Sequence, residues 1–294
     1  MDSTYRSGFI AIIGKPNVGK STLVNRLVQD KLSIISPKPQ TTRRQIKGII
    51  SDEQRQLVFL DTPGYLKPRY ELHNRMLKYI EDSLQGADVI MFVTDSPGYP
   101  TDYDREMLLT LKRYRAPRIC ILNKIDLTSP AQVELQLQEL AEHGFEKLFP
   151  VSALLDDNFN LILDTLTNLL PFSPPFYDTD QLSDLPQRFF VQEIIMEQIF
   201  LNFREEIPYS STVVVENFQE TEKAVEIYAH IWVERKTQKP IILGKNGEKI
   251  KAVRLASEKE IYRLLGKSVK LQLWVKIKPR WRYKKNALKE FGYH

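Results

Sequence analysis

Gly14-Lys15-Pro16-Asn17-Val18-Gly19-Lys20-Ser21 stands between an apolar run, Phe9–Ile13, and a stretch with helical spacing, Ser21–Leu27. The octapeptide fits G-x-x-x-x-G-K-[ST], and its place after a strand and before a helix gives the spacing a physical cause. Glycines let the backbone wrap an anion with its N–H groups turned inward, and the helix that follows adds its positive end. Lys20 then reaches β- and γ-phosphates, and the Ser21 hydroxyl suits Mg²⁺. Gly14 to Ser21, with Thr22 beside them, are therefore candidate nucleotide-binding residues.

Outward from this loop, short apolar strands alternate with helical stretches. Phe9–Ile13, Gln56–Leu60, Val89–Val93, Arg118–Leu122 and Leu148–Val151 read as buried strands, and Gln45–Ser51 adds a sixth beside 56–60. Ser21–Leu27, Arg75–Leu84, Tyr103–Tyr114 and Ala131–His143 carry helical periodicity between them. This predicts an α/β domain with a mostly parallel six-stranded sheet covered by helices on both faces. From Pro171 to Pro186 the text becomes PFSPPFYDTDQLSDLP, which reads as an interdomain linker. The expected division is 1–172, a linker at 173–187, and a second domain at 188–294. That second part reads as helix (Gln187–Glu206), strands (Ser211–Phe218, Lys223–Glu234), glycine loop, helix (Glu248–Leu265) and strand (Ser268–Lys278), a small α+β domain.

Four further segments bear on the same nucleotide. Asp61-Thr62-Pro63-Gly64 ends the strand 56–60, where Asp61 can hold Mg²⁺ through water and the Gly64 N–H can bond a γ-phosphate. Asn123-Lys124-Ile125-Asp126 follows the strand 118–122. Guanine presents N1–H and N2–H₂ on one edge, and a carboxylate such as Asp126 accepts both, so it selects GTP over ATP. The Lys124 stem can pack along the base, and Ser152-Ala153 would offer a backbone N–H to the guanine oxygen. Thr41-Thr42-Arg43 lies in a polar stretch without periodicity. A threonine there binds Mg²⁺ only when a γ-phosphate is present, the basis of a switch loop; Thr42 is favoured, with Thr41 the alternative. Lys38, Arg43, Arg44 and Lys47 around it also read as an ordinary solvated loop.

The net charge of +5 hides a gradient: residues 1–180 carry a net −2, residues 181–234 a net −7, and residues 235–294 a net +14. Such asymmetry marks a polyanion-binding end. Within it Gly244-Lys245-Asn246-Gly247 is a G-x-x-G loop with Lys249 and Lys251 just after, able to approach a sugar–phosphate backbone closely. Trp274, Trp281 and Tyr283 lie among Lys276, Lys278, Arg280, Arg282, Lys284 and Lys285, a mixture suited to base stacking beside phosphate contacts. The competing readings are a helix C-cap at the glycines, a partly buried Trp274 and a solvated lysine face. One cysteine, Cys120 in an apolar run, excludes a disulfide framework and a thiolate zinc site, and reads as a buried small hydrophobe. No run approaches the ~20 apolar residues that cross a bilayer. A soluble, cytoplasmic protein in a reducing compartment is expected.

GKPNVGKSTLVNRL, QTTRRQIKGI, DTPG, NKID, VSAL, QRFFVQEII, ILGKNGEKIK and LQLWVKIKPRW together resemble the Era family over essentially the full length. The resemblance implies a Ras-like P-loop GTPase domain followed by a KH domain of type II. It also implies GTP hydrolysis and binding of small-subunit ribosomal RNA near its 3′ end, in assembly of the 30S subunit. Gly244, Lys245, Asn246, Gly247, Lys249, Lys251, Lys278, Arg280, Trp281 and Arg282 are the RNA-binding candidates. Lys20, Thr42, Asp61, Gly64 and Asn17 are the catalytic ones, with Ser21, Thr42 and Asp61 on Mg²⁺. A monomer with a loose association with the inner membrane is further implied.

Tyr65 follows the aspartate motif where Ras-like enzymes use Gln to orient the attacking water, so slow intrinsic hydrolysis is expected. Asn17 is the candidate for binding a monovalent cation, K⁺, that offsets transition-state charge. The anticipated mechanism is a switch: GTP and Mg²⁺ order residues 33–47 through Thr42, the two domains reorient across the linker, and the Gly244–Gly247 face opens to RNA. Segment 181–234 would mask that face otherwise. Two alternatives stand beside it: a nonenzymatic RNA-binding assembly factor with nucleotide as a structural ligand, and a GTPase coupling membrane or cell-cycle events without RNA.

Overall fold

The structure, a computed structural model, describes residues 4–155 and 159–294. The chain packs as two compact units: residues up to Pro68 with Met76–Asp184, and Arg69–Arg75 with Leu185–His294.

In the first unit β1 (Arg6–Ile13), α1 (Lys20–Val28), β2 (Ile46–Ser51) and β3 (Arg55–Asp61) come first. They are followed by α2 (Glu71–Gln85, in this unit from Met76 onward), β4 (Val89–Asp95), α3 (Asp102–Leu111), β5 (Arg118–Asn123), α4 (Pro130–Ala141), β6 (Lys147–Pro150) and α5 (Asn160–Leu169). The strands form the six-stranded sheet expected, in the order β2-β3-β1-β4-β5-β6. All neighbours are parallel except β2 against β3. Central strands of a covered parallel sheet bury both faces, so they read as unbroken apolar runs. Ile10 to Ile13, Val89 to Val93 and Ile119 to Leu122 are accordingly without exposed surface. Chain order reverses about β1, with β3 on one side and β4 on the other, and ligands bind open α/β sheets at the strand C-termini beside such a reversal. Four of the nucleotide segments read from the sequence begin at such an end: Gly14 after β1, Asp61 closing β3, Asn123 closing β5 and Ser152 after β6; Thr41-Thr42 instead lies in the loop before β2.

The helix α5 was not anticipated. Its apolar residues Ile162, Leu163 and Leu166 are buried, but at ten residues the stretch is short and gives a weak periodic signal. The proline-rich segment lies against the first unit as far as Asp184. The guanidinium of Arg6 sits 4.0 Å over the Phe172 ring, and Ser7 Oγ donates to the Pro174 carbonyl at 2.6 Å. The buried Gln56 amide accounts for much of the rest. Its Oε1 accepts from the backbone N–H groups of Phe176 (2.7 Å) and Tyr177 (3.0 Å), and its Nε2 donates to the Tyr177 carbonyl at 2.8 Å. A buried carboxamide without such partners would cost about 1–3 kcal/mol.

The second unit continues with α6 (Gln187–Asn202), α7 (Glu206–Ser210), β7 (Thr212–Glu220), β8 (Ala224–Val233), α8 (Gln238–Leu243), α9 (Glu248–Leu265), β9 (Ser268–Ile277) and α10 (Lys285–Glu290). The sheet order is β7-β8-β9, antiparallel then parallel, with α6 and α9 on one face. Val225, Ile227, Ala229, Ile231 and Val233 of β8 are fully buried toward those helices, as their alternation predicted. The helix expected over 187–206 stops at Asn202, because Phe203 turns inward to bury its ring and Glu205 takes a positive φ of 53°.

The basic C-terminal stretch is folded rather than a tail. Trp281 has no exposed surface, its Nε1 donates to the Ser210 carbonyl at 2.9 Å, and Phe291 and Tyr293 pack against its ring. The expectation that Trp281 presents itself to RNA is therefore corrected: the indole is a core residue. Arg282 is similarly withdrawn, 8% exposed with Nη2 donating to Glu234 Oε2 at 2.6 Å.

Candidate functional site

A cleft of about 370 Å³ opens at the C-terminal edge of the six-stranded sheet. Pro16, Asn17, Gly19, Lys20, Ser21, Thr22, Thr42, Thr62, Gly64 and Lys124 line it, joined by Ile34, Ile35 and Gln40, which the motif reading did not single out. Two glycines permit the close packing of its walls. Gly19 has φ 98°, and a Cβ there would fall 2.2 Å from Asn123 Nδ2. A Cβ on Gly64 would fall 2.7 Å from the Pro16 backbone and 2.8 Å from its ring, so the loop after β3 can meet the loop after β1 only without a side chain at this position.

At the floor lies Asp61, fully buried. Its Oδ2 accepts from Ser21 Oγ at 2.9 Å and from Ser33 Oγ at 2.7 Å, while Thr42 Oγ1 lies 2.8 Å from Ser21 Oγ. Thr42 is buried and Thr41 half-buried. Burial pushes the Asp61 carboxyl above its ordinary value, against the opposing pull of Ser33, Lys20 and Ser21. Its second oxygen, Oδ1, is buried without a hydrogen-bond partner. An orphaned carboxylate oxygen beside two hydroxyls is an all-oxygen donor set of the kind a hard dication takes. Among the described residues no group of three His, Cys, Asp or Glu side chains could hold a metal by itself. Mg²⁺ fits here as an ion sharing its shell with phosphate and water.

Ser33 has no motif around it, and its position depends on a buried amide in α1. Asn25 Oδ1 accepts from the N–H groups of Leu32 and Ser33, and Asn25 Nδ2 donates to the Ser33 carbonyl at 2.9 Å. Asp95, closing β4, was also missed. Lys15 Nζ lies 3.0 Å from Asp95 Oδ1 and 2.9 Å from Asp104 Oδ2, and Lys124 Nζ lies 2.9 Å from Asp95 Oδ2. Burial opposes its ionisation, but the two ammonium groups outweigh this and hold the carboxyl below its usual range. A carboxylate at the C-terminal end of a central strand was the available signal.

Other expected residues serve the frame. Asn123 Nδ2 donates to the Val18 carbonyl at 2.7 Å and its Oδ1 accepts from the Ala153 N–H at 2.9 Å, tying three motif loops together. Thr62 Oγ1 donates to the Ile12 carbonyl at 2.6 Å. Lys124 reaches the Asn17 carbonyl at 2.5 Å, and Asn17 Nδ2 donates to the Pro37 carbonyl at 2.9 Å. Asp126 is exposed just beyond, while Ser152 and Ala153 are buried after β6; none of the three is part of the cleft lining. Tyr65 is half-buried, its N–H on the Gly14 carbonyl at 3.1 Å, and burial and then Glu106 raise its phenol's pKa.

In the second unit Gly244, Lys245, Asn246 and Gly247 form the turn between α8 and α9, with Asn246 at φ 53°. Lys245, Lys249 and Lys251 are exposed, and Lys245 and Lys251 make no ion pair among the described residues. Lys278 is paired with Glu290, and Arg280 is exposed over the Tyr283 ring.

Lys20 carries a pH consequence. Its Nζ donates to the carbonyls of Gly14 (3.0 Å) and Lys15 (2.9 Å), and burial lowers its pKa to about 8 despite Asp61 and Asp95. A bound polyphosphate favours the ammonium, so binding above that value must take up a proton. Nucleotide affinity is expected to be insensitive to this group below about pH 8 and to weaken above it, toward tenfold per pH unit. Titrations between about pH 7 and pH 9 in buffers of different ionisation heat check this; constant affinity without proton uptake would contradict it.

Comparison with known proteins extends the picture beyond the cleft. The sequence model of the family described as 50S ribosome-binding GTPase matches residues 9–124, and that of the KH domain matches 206–282. The chain is similar to GTPase Era of Carboxydothermus hydrogenoformans, 40% identical over 293 residues, 99% of this chain and 98% of that protein. A crystal structure of Era in complex with MgGDPNP and nucleotides 1506–1542 of 16S ribosomal RNA superposes with a TM-score of 0.94 at 36% identity, covering 98% of this chain and 99% of that one. An Era variant from Aquifex aeolicus bound to GDP·AlF4⁻ gives 0.94 at 35% identity over the same shares. Because the likeness runs through both units at these identities, and not through the nucleotide fold alone, the chain belongs to the Era family of GTPases.

Proposed function

We propose that this protein is a GTP-hydrolysing switch that binds small-subunit ribosomal RNA near its 3′ end and acts in 30S assembly. The observation that carries the reading is the meeting of Ser21, Thr42 and the buried, half-satisfied Asp61 beside Lys20. Lys20 neutralises β- and γ-phosphate oxygens, and the backbone of Gly14–Ser21 cradles them. Ser21, Thr42 and Asp61 are the residues that would hold Mg²⁺, which supplies charge neutralisation across the phosphates. Gly64 offers its N–H to the γ-phosphate, and Asp126 reads the guanine edge. Thr42 is the switch residue in this reading, because its hydroxyl lies nearest Ser21. Residues 1–172 carry this chemistry, 173–187 connect, and 188–294 hold RNA through Gly244–Gly247, Lys249 and Lys251. The RNA-bound relative, which covers both units, supports the small-subunit target.

Tyr65 is not the water-orienting group in this account: its phenol bonds Glu106 and stays protonated. Transition-state charge would be offset instead by Lys20, by the Mg²⁺ that Ser21, Thr42 and Asp61 would hold, and by a K⁺ that Asn17 would hold through Oδ1, its Nδ2 being engaged with the Pro37 carbonyl. The protein acts as a monomer in the cytoplasm with peripheral contact at the inner membrane. Among the described residues no helix is long and apolar enough to cross a membrane.

Two experiments test the reading. Asp126→Asn replaces one acceptor with a donor, which clashes with guanine N2–H₂ and matches the carbonyl of xanthine. Steady-state phosphate release should lose about 10- to 150-fold in kcat/KM for GTP, the range of a charge-assisted hydrogen bond, and gain activity on XTP. Unchanged GTP preference would refute the assignment, and wild-type release no faster than the uncatalysed reaction, with RNA present, would favour a structural nucleotide. For the cation, wild type should hydrolyse GTP faster in K⁺ than in Na⁺ at equal ionic strength, and Asn17→Ala should abolish the difference; equal wild-type rates would remove K⁺ from the mechanism.

A further inference from the structure

The sheet of the second unit has two unlike faces. Its helix-covered side is wholly aliphatic on β8, whereas the opposite side carries Tyr228, His230 and Trp232 in succession. Register sets His230 beside Trp274 and Trp232 beside Lys276 on β9. The Tyr228 and Trp274 rings lie nearly parallel, 9° apart with centroids at 5.7 Å, and His230 meets Trp274 edge-on at 6.0 Å. Trp232 is covered by Phe291, but Trp274 is 42% exposed. The result is a hollow of about 550 Å³ whose lining includes Tyr228, His230, Trp274, Lys276 and Lys239.

Charge decides what this hollow suits. The carboxylates on the face are engaged: Glu216 with His230 Nδ1 at 2.8 Å and Glu226 with Lys270 at 2.9 Å. Lys239 and Lys276 make no ion pair among the described residues, so aromatic surface is flanked by uncompensated cations. An aromatic platform beside ammonium groups without carboxylate partners, Lys276 Nζ lying 5.5 Å over the Trp232 ring, complements a stacked base and its phosphate. Lys239 also belongs to α8, the helix that leads into Gly244. A strand held at the glycine loop therefore has a cationic guide toward the hollow.

We infer that the Tyr228–Trp274 face is a second subsite for single-stranded RNA, which stacks a base of the same strand that the Gly244–Gly247 loop holds by its backbone. This rests on the reading of the second unit as RNA-binding. The two sites divide the work: the loop fixes the backbone without reading much base surface, and the sheet face lengthens the footprint by stacking.

The test compares the full chain's affinity for two single-stranded RNAs with GTP analogue bound. One has about four nucleotides, the length a KH loop clamps, and the other about twice that. Trp274→Ala should weaken the longer strand by about 5- to 150-fold, the equivalent of one stacked base, and leave the shorter unchanged. Trp274→Phe, which keeps a ring, should retain most of the affinity. Lys276→Glu should lower the slope of log affinity against log salt for the longer strand by about 0.7 or more. Gly247→Asp should weaken both strands, since it adds a negative charge to the loop and puts a side chain at a φ of 78°, which favours glycine even though a Cβ there meets nothing within 4 Å. If Gly247→Asp weakens both while the Trp274 and Lys276 variants bind the longer strand as wild type does, the subsite is overturned and the RNA-binding reading stands. If wild type binds neither strand, that reading fails and the subsite with it. An acidic peptide that binds through Trp274 while RNA affinity stays unchanged would overturn the subsite in favour of a protein ligand.

Discussion

A buried carboxylate with too few partners governs the first unit. Asp61 sits at zero exposure at the end of β3, and taking an ionised carboxylate out of water is costly unless hydrogen bonds and opposite charge offset it. Ser21, Ser33 and Lys20 supply part of that compensation and leave Oδ1 unpaired. The partners come from two segments, Lys20 and Ser21 from the first turn of α1 and Ser33 from the loop before β2. Those segments can converge only because β1 and β3 are neighbours in parallel register, with Ile12 opposite Asp61. The loop that carries Thr42 is thus tied to the floor of the cleft by the groups a metal would engage. In the proposed function, the same incompleteness makes the loop responsive to what occupies the cleft.

Around that centre, buried polar side chains act as ties between motif loops. Asn123 joins the loops after β1 and β6, Asn25 holds Ser33, and Asp95 gathers Lys15 and Lys124. Such buried, hydrogen-bonded groups in a low-dielectric setting have directional strength, which makes loss of one member costly. The second unit uses a different device. Its helix-covered sheet face is aliphatic, and its C-terminal segment is anchored by the buried Trp281, while Arg280, Lys284 and Lys285 stay exposed alongside the cations of the glycine turn, α9 and the sheet's other face.

Much of this was legible in the sequence because each motif combines a local backbone demand with a chemical one. G-x-x-x-x-G-K-S after an apolar run fixes strand, turn and helix together, and the unbroken apolar strands announce a covered parallel sheet. The alternation Val225, Ile227, Ala229, Ile231, Val233 likewise declared which face of β8 is buried. What stayed hidden depends on tertiary contact. Ser33 and Asp95 have ordinary neighbours in sequence, and their roles arise from side chains far along the chain. Trp281 and Arg282 look like nucleic-acid contacts among their basic neighbours, yet the backbone turns at Arg280, φ 55°, and folds them inward. Local composition records charge, whereas the turn that decides exposure is set by the core.

The central claim is that occupation of the Ser21–Thr42–Asp61 cleft by Mg²⁺ and GTP governs how the second unit holds RNA. The most direct measurement is RNA affinity of the wild type and of Thr42→Ala, each with GDP and with a non-hydrolysable GTP analogue. The account predicts that wild type binds RNA more tightly with the analogue than with GDP and that Thr42→Ala loses the difference while still binding nucleotide. Equal affinities for wild type in the two nucleotide states would contradict it.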